Sequence, residues 1–358
     1  MLNNEYFLWG AGTYGKRIIE FMKNDLTFKA VIDNDLKKQG TIFCSVPVIS
    51  YEEAKGVLPG VKIVIALNVP TEVRDLLIAA GFVENKDFFV IHDFIPRYYW
   101  KKNKSLVIKS VDIPATTICN MKCEACQTFI PIGVTHRHMS AKSIMSDIDL
   151  MFTHIDSVMN FNFCVGESLL NKELPDICSY IYENFAKRYG WVLIQTNGTI
   201  KPEDDIMQRF SESKTLFGFS NYPENIKSIN KLIEKCNKHN IGWYFNRAGD
   251  RKLWYDVGDP RIENEMSHDK LRELCTRCWK PGMAIVNQWL YICAEQAWSH
   301  LVAEVGTLNP GDAFDLNQPM TDTTREELYK IISRQPPEAG YISHCKRCNS
   351  VMTPYVIK

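Results

Sequence analysis

The chain reads as an α/β protein, and three observations predict that class. Short apolar runs alternate with stretches whose apolar residues recur at helical spacing, the pattern of parallel strands joined by crossover helices. A glycine-rich turn joins the first apolar run to the first helical stretch. Eight of the twelve cysteines sit in tight sets instead of spreading through the chain. At 358 residues the chain exceeds one ordinary core, so two or three domains are expected.

Residues 1–98 form the first part. "YFLW" is a short strand, "GAGTYG" a turn with Gly10, Gly12 and Gly15, and "GKRIIEFMK" a helix with Ile18, Ile19 and Met22 on one face. "FKAVIDND" is a second strand running out at Asp33, and "VKIVIALN" a third. Thr71 is expected to cap a helix bearing Val73, Leu76, Leu77 and Ala80, closed by Gly81. This is the pattern of a Rossmann-like half-domain. Its glycines permit a tight turn and the approach of a phosphate to the helix N-terminus, and Asp33 is placed to bond ribose hydroxyls. Close helix–strand packing is the competing role for the same glycines. "GAGTYG", "VIDND" with "KKQG" after it, and "VPVIS" also resemble the small sugar-nucleotide-associated domain that precedes acyltransferases of cell-surface glycan pathways. That resemblance implies a nucleotide or nucleotide sugar as ligand.

"IPRYYWKKNKS" (95–105) reads as a polar, aromatic-studded connector. Residues 105–270 then alternate strand and helix. "SLVIKSVDIPA" is extended, Ser140 caps a helix with Ile144, Ile148 and Met151, and "FNFCV" is a strand. A helix around Leu174, Ile177 and Ile181, strands "WVLIQ" and "LFGFS", a helix around Ile229 and Cys236, and strand "IGWYF" complete the series. Sites in such sheets lie beyond the carboxyl ends of the strands.

Lysine plus arginine and aspartate plus glutamate balance at 42 each, so nothing points to nucleic acid or an anionic membrane. No apolar run approaches the ~20 residues of a membrane span, and "MLNNEYFLWGAG" lacks the marks of a signal peptide. A cytoplasmic location is expected. Disulfides do not persist there, so grouped cysteines point to metal ligation. Cys44, Cys164, Cys178 and Cys236 are scattered, as packing residues are.

"TTICNMKCEACQTF" spaces Cys119, Cys123 and Cys126 as Cys-x3-Cys-x2-Cys. A structural zinc site wants four ligands. A [4Fe–4S] cluster held by three thiolates instead keeps one iron open, whereas electron-transfer clusters are normally closed by four. The loop resembles that of the radical S-adenosylmethionine (radical SAM) enzymes. The resemblance implies a partial (βα)6 barrel, a cluster whose open iron binds SAM, and reductive cleavage of SAM to a 5′-deoxyadenosyl radical. It extends over about residues 108–250. Gly166, Glu167 and Ser168 fall where the family has a Gly-Gly-Glu-Pro turn holding the SAM amino group, and Thr196, Asn197 and Ser220 follow later strands. Ala125 stands where an aromatic residue is usual, and Val165 and Ser168 replace a glycine and a proline.

Residues 271–358 carry Cys275, Cys278, Cys293, Cys345 and Cys348. They resemble the small C-terminal twitch or SPASM extension, which implies one auxiliary [4Fe–4S] cluster, with Cys275, Cys293, Cys345 and Cys348 as ligands by position. Cys278 is the surplus thiol and an alternative to Cys275. Gln288 departs from the glycine usual there. Cys-x2-Cys…Cys-x2-Cys is also a zinc-ribbon spacing.

The family chemistry implies hydrogen abstraction from an unactivated carbon, with a flavodoxin- or ferredoxin-type reductant. Oxidation of a sugar, aminocyclitol or nucleotide sugar, with the auxiliary cluster as electron acceptor, is the reading adopted. Inosamine dehydrogenases of the twitch group look similar in cluster layout. Epimerisation or elimination on a sugar, peptide modification of the SPASM type, and a non-catalytic zinc-stabilised nucleotide-binding module are the alternatives. Cys164 is a candidate hydrogen donor, and Tyr244, Asn246 and Arg247 sit at a strand end where substrate contacts belong. His136 and His138 are candidates for a phosphate contact or a base, against an ordinary exposed loop.

Overall fold

The structure, a computed structural model, describes residues 5–57, 60–67, 70–123, 126–246, 253–255, 257–278, 282–335, 337–349 and 354–356. Arg247 and Ala125 lie outside them. The chain divides into two compact units, Met1–Ser105 and Leu106–Lys358.

The first unit contains β1 (Glu5–Trp9), α1 (Thr13–Met22), β2 (Ala30–Ile32), β3 (Ile42–Phe43), β4 (Val46–Ile49), α2 (Tyr51–Lys55), β5 (Val61–Ile65), α3 (Thr71–Ala79), β6 (Phe88–Val90) and α4 (Ile91–Asn103). Its sheet runs β3-β4-β2-β1-β5-β6, parallel except for the β3/β4 hairpin. Phe7, Trp9, Ile32, Ile63, Ile65 and Phe88 build the core on one face. The turn after β1 is tight because Gly10 takes φ +125°, where a side chain would press on the Ala66 carbonyl at 2.8 Å. A side chain at Gly15 would collide with the Gly10 carbonyl, so helix and turn meet backbone to backbone.

Two expectations are corrected here. Residues 95–105 are not a connector up to their last two: α4 runs to Asn103. Its aromatic residues are anchors, since Tyr98 and Tyr99 donate to the backbone and carboxylate of Asp25, both at 2.6 Å. Thr71 is the first helical residue rather than the cap, which falls on Pro70 without a side-chain hydrogen bond.

The second unit contains β7 (Val107–Ile113), α5 (Ala141–His154), β8 (Ser157–Phe163), α6 (Leu174–Phe185), β9 (Tyr189–Thr196), α7 (Asp204–Glu212), β10 (Thr215–Phe219), α8 (Ile226–Lys238) and β11 (Gly242–Phe245). Then follow β12 (Leu253–Tyr255), α9 (His268–Arg277), β13 (Met283–Val286), β14 (Trp289–Tyr291), α10 (Ala294–Leu301), β15 (Ala313–Asp315), α11 (Asp322–Ile332) and β16 (Pro354–Val356). The main sheet is ordered β11-β10-β9-β8-β7-β13-β14-β15, and β12 pairs separately with β16. Strands β7 to β11 are parallel neighbours in chain order, each linked by a helix, so their carboxyl ends share one edge. The β13/β14 hairpin joins the sheet through a parallel pairing of β13 with β7. Fully buried Phe161, Phe163, Phe217 and Phe219 hold these strands against their helices. Among the described residues, no helix is long and apolar enough to cross a membrane.

Candidate functional site

The segment after β7 leaves the sheet and is fastened at its base. Thr117 N–H donates to Arg137 O at 2.9 Å and Met139 N–H to Ala115 O at 3.0 Å. The Asn171 amide bridges Ala115 O and Met139 O at 2.7 and 2.9 Å. Cys119, Cys123 and Cys126 lie within the loop so closed, all half-buried. The Cys123 thiol donates to the Tyr222 hydroxyl at 3.8 Å, and Cys126 Sγ lies 3.2 Å from Thr128 Oγ1. The turn after β8 clamps the loop from the side. Glu167 N–H donates to Ile118 O at 2.9 Å. Gly166 has φ +58°, and a side chain there would collide with Ile118 O and lie 2.8 Å from Thr116 O. Only glycine fits.

The three thiols open on a cavity of about 310 Å³. Its other walls come from the carboxyl ends of successive strands: Cys164 and Gly166 after β8, Gln195 and Thr196 on β9 with Asn197 after it, Ser220, Asn221 and Tyr222 after β10, and Asn246 after β11. Gly166, Thr196, Asn197, Ser220 and Cys164, which the sequence puts more than 50 residues apart at the extremes, are thus brought together with the loop cysteines.

Glu167 and Ser168 are placed differently. Glu167 is 1% exposed and its carboxylate accepts from Thr196 Oγ1 and Asn197 N–H, both at 2.7 Å, and from Leu169 N–H at 3.3 Å. It ties the β8 turn to the β9 end behind the cavity wall. Burial pushes its carboxyl up to about 7 against those hydrogen bonds. Ser168 is fully buried, with no partner for its hydroxyl. Tyr244 lies on β11, its hydroxyl accepting from Gln195 Nε2 at 2.9 Å. His136 and His138 are exposed, His136 with Nδ1 at 3.4 Å from Thr117 O.

Burial raises the thiol pKa of Cys119 to about 11 and also raises that of Cys123, with the neighbouring thiols of the loop adding to both. Bound iron would offset both penalties by stabilising thiolate. Three soft donors on one cavity, held by a loop that is pinned at base and side, therefore fit an iron–sulfur group in the chemistry of the donor set. Among the described residues, no three histidine, cysteine or acidic side chains converge as they would on a single metal ion.

The second cysteine set is drawn together pairwise. Cys275 closes α9, Cys278 follows it, Cys293 caps α10 after the hairpin, and Cys345 and Cys348 lie in and after a short turn at 343–347. Cys345 hydrogen-bonds to Cys275, which lowers the Cys275 thiol despite its burial and drives Cys345 up. Cys293 is raised well above the usual thiol range, first by burial and then by Glu295, with Cys278 and Cys348 also in reach. Cys275 acts on Cys345 most strongly, through their hydrogen bond, and Cys278 acts on it only through its charge.

In the first unit, Gly10, Gly12 and Gly15 surround the N-terminus of α1, and the space a Gly12 side chain would take is open. Asp33 is already engaged: one oxygen accepts Ala11 N–H at 2.8 Å and Lys38 Nζ at 3.2 Å, the other Asp35 N–H at 2.9 Å. It ties the glycine turn to the end of β2.

Sequence reading missed Asp112, Asn162 and Gln195, which join beneath the cavity. Their signal was a polar residue near the carboxyl end of each of three strands.

No protein-family model matches the chain, and no curated protein matches it. Among solved structures the chain is similar to anSMEcpe with bound AdoMet and a peptide, at 18% identity and TM-score 0.32, over 39% of this chain and 42% of that one. It is similar to BtrN in complex with AdoMet and 2-DOIA, at 13% identity and TM-score 0.41, over 69% of this chain and 95% of that one. It is also similar to Streptococcus suis SuiB bound to S-adenosylmethionine, at 12% identity and TM-score 0.24, over 57% and 54%. The chain thus spans less than half the length of anSMEcpe.

Proposed function

We propose that this chain is a radical SAM enzyme that abstracts hydrogen from a carbohydrate-type substrate. The observation that carries the reading is the cavity on which Cys119, Cys123 and Cys126 open together with Gly166, Thr196, Asn197 and Ser220. When bound, a three-thiolate cluster supplies the electron that cleaves SAM to methionine and a 5′-deoxyadenosyl radical, which takes a hydrogen atom from substrate. The chain's own residues do the rest. The pinned loop fixes the three sulfurs. Backbone groups at Gly166 and polar side chains at Thr196, Asn197 and Ser220 orient the cosubstrate. The strand ends wall the reacting carbon from water, which makes positioning the protein's main contribution.

Cys275 or Cys278, with Cys293, Cys345 and Cys348, would hold one auxiliary cluster as electron acceptor; the substrate radical would lose one electron to it and the hydroxyl proton to a base, so that an alcohol carbon becomes a carbonyl. The glycine turn of the first unit would carry a nucleotide or nucleotide sugar, and a flavodoxin- or ferredoxin-type protein would reduce the first cluster. The decisive experiment is dithionite-dependent formation of 5′-deoxyadenosine by anaerobically reconstituted protein. Activity in the wild type and its loss when Cys119, Cys123 and Cys126 are together replaced by Ala is the expected result. Undiminished formation in the triple variant refutes the assignment, and colourless, zinc-bearing protein that consumes no SAM favours the binding-module alternative.

A further inference from the structure

We propose that Asp112, which does not itself line the cavity, is a positioning residue that orders the cavity floor through a hydrogen-bonded row of side chains crossing the sheet. The row is explicit. Asn162 Nδ2 donates to Asp112 Oδ1 at 2.7 Å, Gln195 Nε2 donates to Asn162 Oδ1 at 2.8 Å, and Gln195 Nε2 donates again to the Tyr244 hydroxyl at 2.9 Å. The Cys164 thiol is hydrogen-bonded to the same Asp112 carboxylate. Two members, Cys164 and Gln195, line the cavity.

The carboxylate sets the direction of everything after it. Burial pushes the Asp112 carboxyl up to about 6, so above that pH it is ionised and only accepts, whereas an amide can turn either end to a neighbour. Asp112 therefore requires the nitrogen of Asn162, which leaves the Asn162 oxygen for Gln195 and so requires the nitrogen of Gln195. Both N–H groups of Gln195 are then spent, and its Oε1 is left buried without a hydrogen-bond partner. One charge at β7 thus fixes two amide orientations on β8 and β9. Such a row is cooperative, and loosening one member loosens the next.

Two glycines fit this purpose. Gly218 on β10 lies under the Gln195 side chain. A side chain there would collide with Gln195 Oε1 and stand 2.9 Å from the Tyr244 hydroxyl. At Gly282, just before β13, a side chain would stand 2.8 Å from Asp112 Oδ2 and 3.2 Å from Ala294 Cβ. The backbone angles of neither glycine require it. The row does.

The consequence for catalysis rests on the proposed function, but the row itself does not, and the test separates the two. Selective 15N-glutamine labelling reads the Gln195 side-chain amide, and mass-mapped alkylation by iodoacetamide as a function of pH reads Cys164. In Asp112→Asn the Gln195 amide protons should lose about tenfold of their exchange protection. The pH midpoint of Cys164 alkylation should fall by about one unit, because the nearby negative charge is gone. Lys109 and Glu295, the other charged groups that act on Asp112, are unchanged. The exchanged pair Asp112→Asn with Asn162→Asp keeps a carboxylate that accepts from both sides, so Gln195 protection should return. Gly218→Ala should loosen Gln195 while leaving Cys164 alkylation as in wild type, and it serves where Asp112→Asn does not fold.

In reconstituted enzyme, Asp112→Asn should lower kcat for 5′-deoxyadenosine formation more than it raises KM for SAM, and the exchanged pair should recover it. Wild-type protection of Gln195 in a folded Asp112→Asn or Gly218→Ala variant overturns the proposal, as does an exchanged pair no better than the single variant. If wild-type protein forms no 5′-deoxyadenosine while Gln195 and Cys164 respond as described, the row stands and the proposed function falls.

Discussion

The two cysteine sets of the second unit are built on opposite plans. The first takes three thiols from one short loop and turns them onto a cavity whose other walls come from four strand ends. The second takes five from three segments and brings some of them against one another, with Cys275 and Cys345 hydrogen-bonded and Cys293 near Cys278, Cys348 and Glu295. A thiol set that faces a cavity leaves room for an outside ligand. One that faces itself can be completed by protein alone. On the proposed reading, the first would be the open, reactive site and the second a closed, electron-carrying one.

Removing all three loop thiols is the sharpest way to break that contrast, since SAM cleavage should vanish altogether. Gly166→Ala should come next. It adds no charge and removes no ligand, yet the residue must hold φ +58° against the Ile118 carbonyl. The strain is about 1–3 kcal/mol, and iron uptake by the first set should fall severalfold with the second set intact. Normal iron content and normal SAM cleavage would mean that the clamp is not needed. Cys345→Ala with Cys348→Ala should lose about one cubane of iron while SAM cleavage persists; iron analysis reads this, and an unchanged count would show the second set to be empty or zinc-bound.

A pH-dependent effect follows from Glu167. Its pKa is raised to about 7, above an unfolded value near 4.5. The protonated form is therefore favoured by folding. Its stabilising contribution is complete below about 4.5 and is lost as pH rises through about 7, with a slope of at most about 1.4 kcal/mol per unit. Thermal melting across that window should fall less steeply in Glu167→Gln than in wild type; a steeper fall contradicts the assignment. The smallest effect separates two helix starts. Ser140 Oγ accepts Ser143 N–H at 3.2 Å, so Ser140→Ala should cost about 1 kcal/mol in denaturant unfolding. Thr71→Ala should cost less, because Thr71 makes no cap.

Local patterns were legible in the sequence. The turn at Gly10 and Gly15, the alternation of strands and helices, and the loop at the end of β7 are all set by neighbours within a few residues. Distant partners were not. Tyr98 and Tyr99 looked like the aromatic dressing of a connector because their partner, Asp25, lies more than 70 residues away. Asp112, Asn162 and Gln195 gave no sign of one another in the sequence, since sheet register alone brings them together. Glu167 was expected to contact the cosubstrate, and its engagement with Thr196 and Asn197 behind the cavity wall was not legible.

The central claim is that the three loop thiols hold a cluster with one iron open to SAM. Electron paramagnetic resonance of the reduced, anaerobically reconstituted Cys345→Ala, Cys348→Ala variant, recorded with and without SAM, tests it most directly. The account expects a cubane signal that changes shape when SAM is added. A signal indifferent to SAM, or no cluster signal at all, would contradict it.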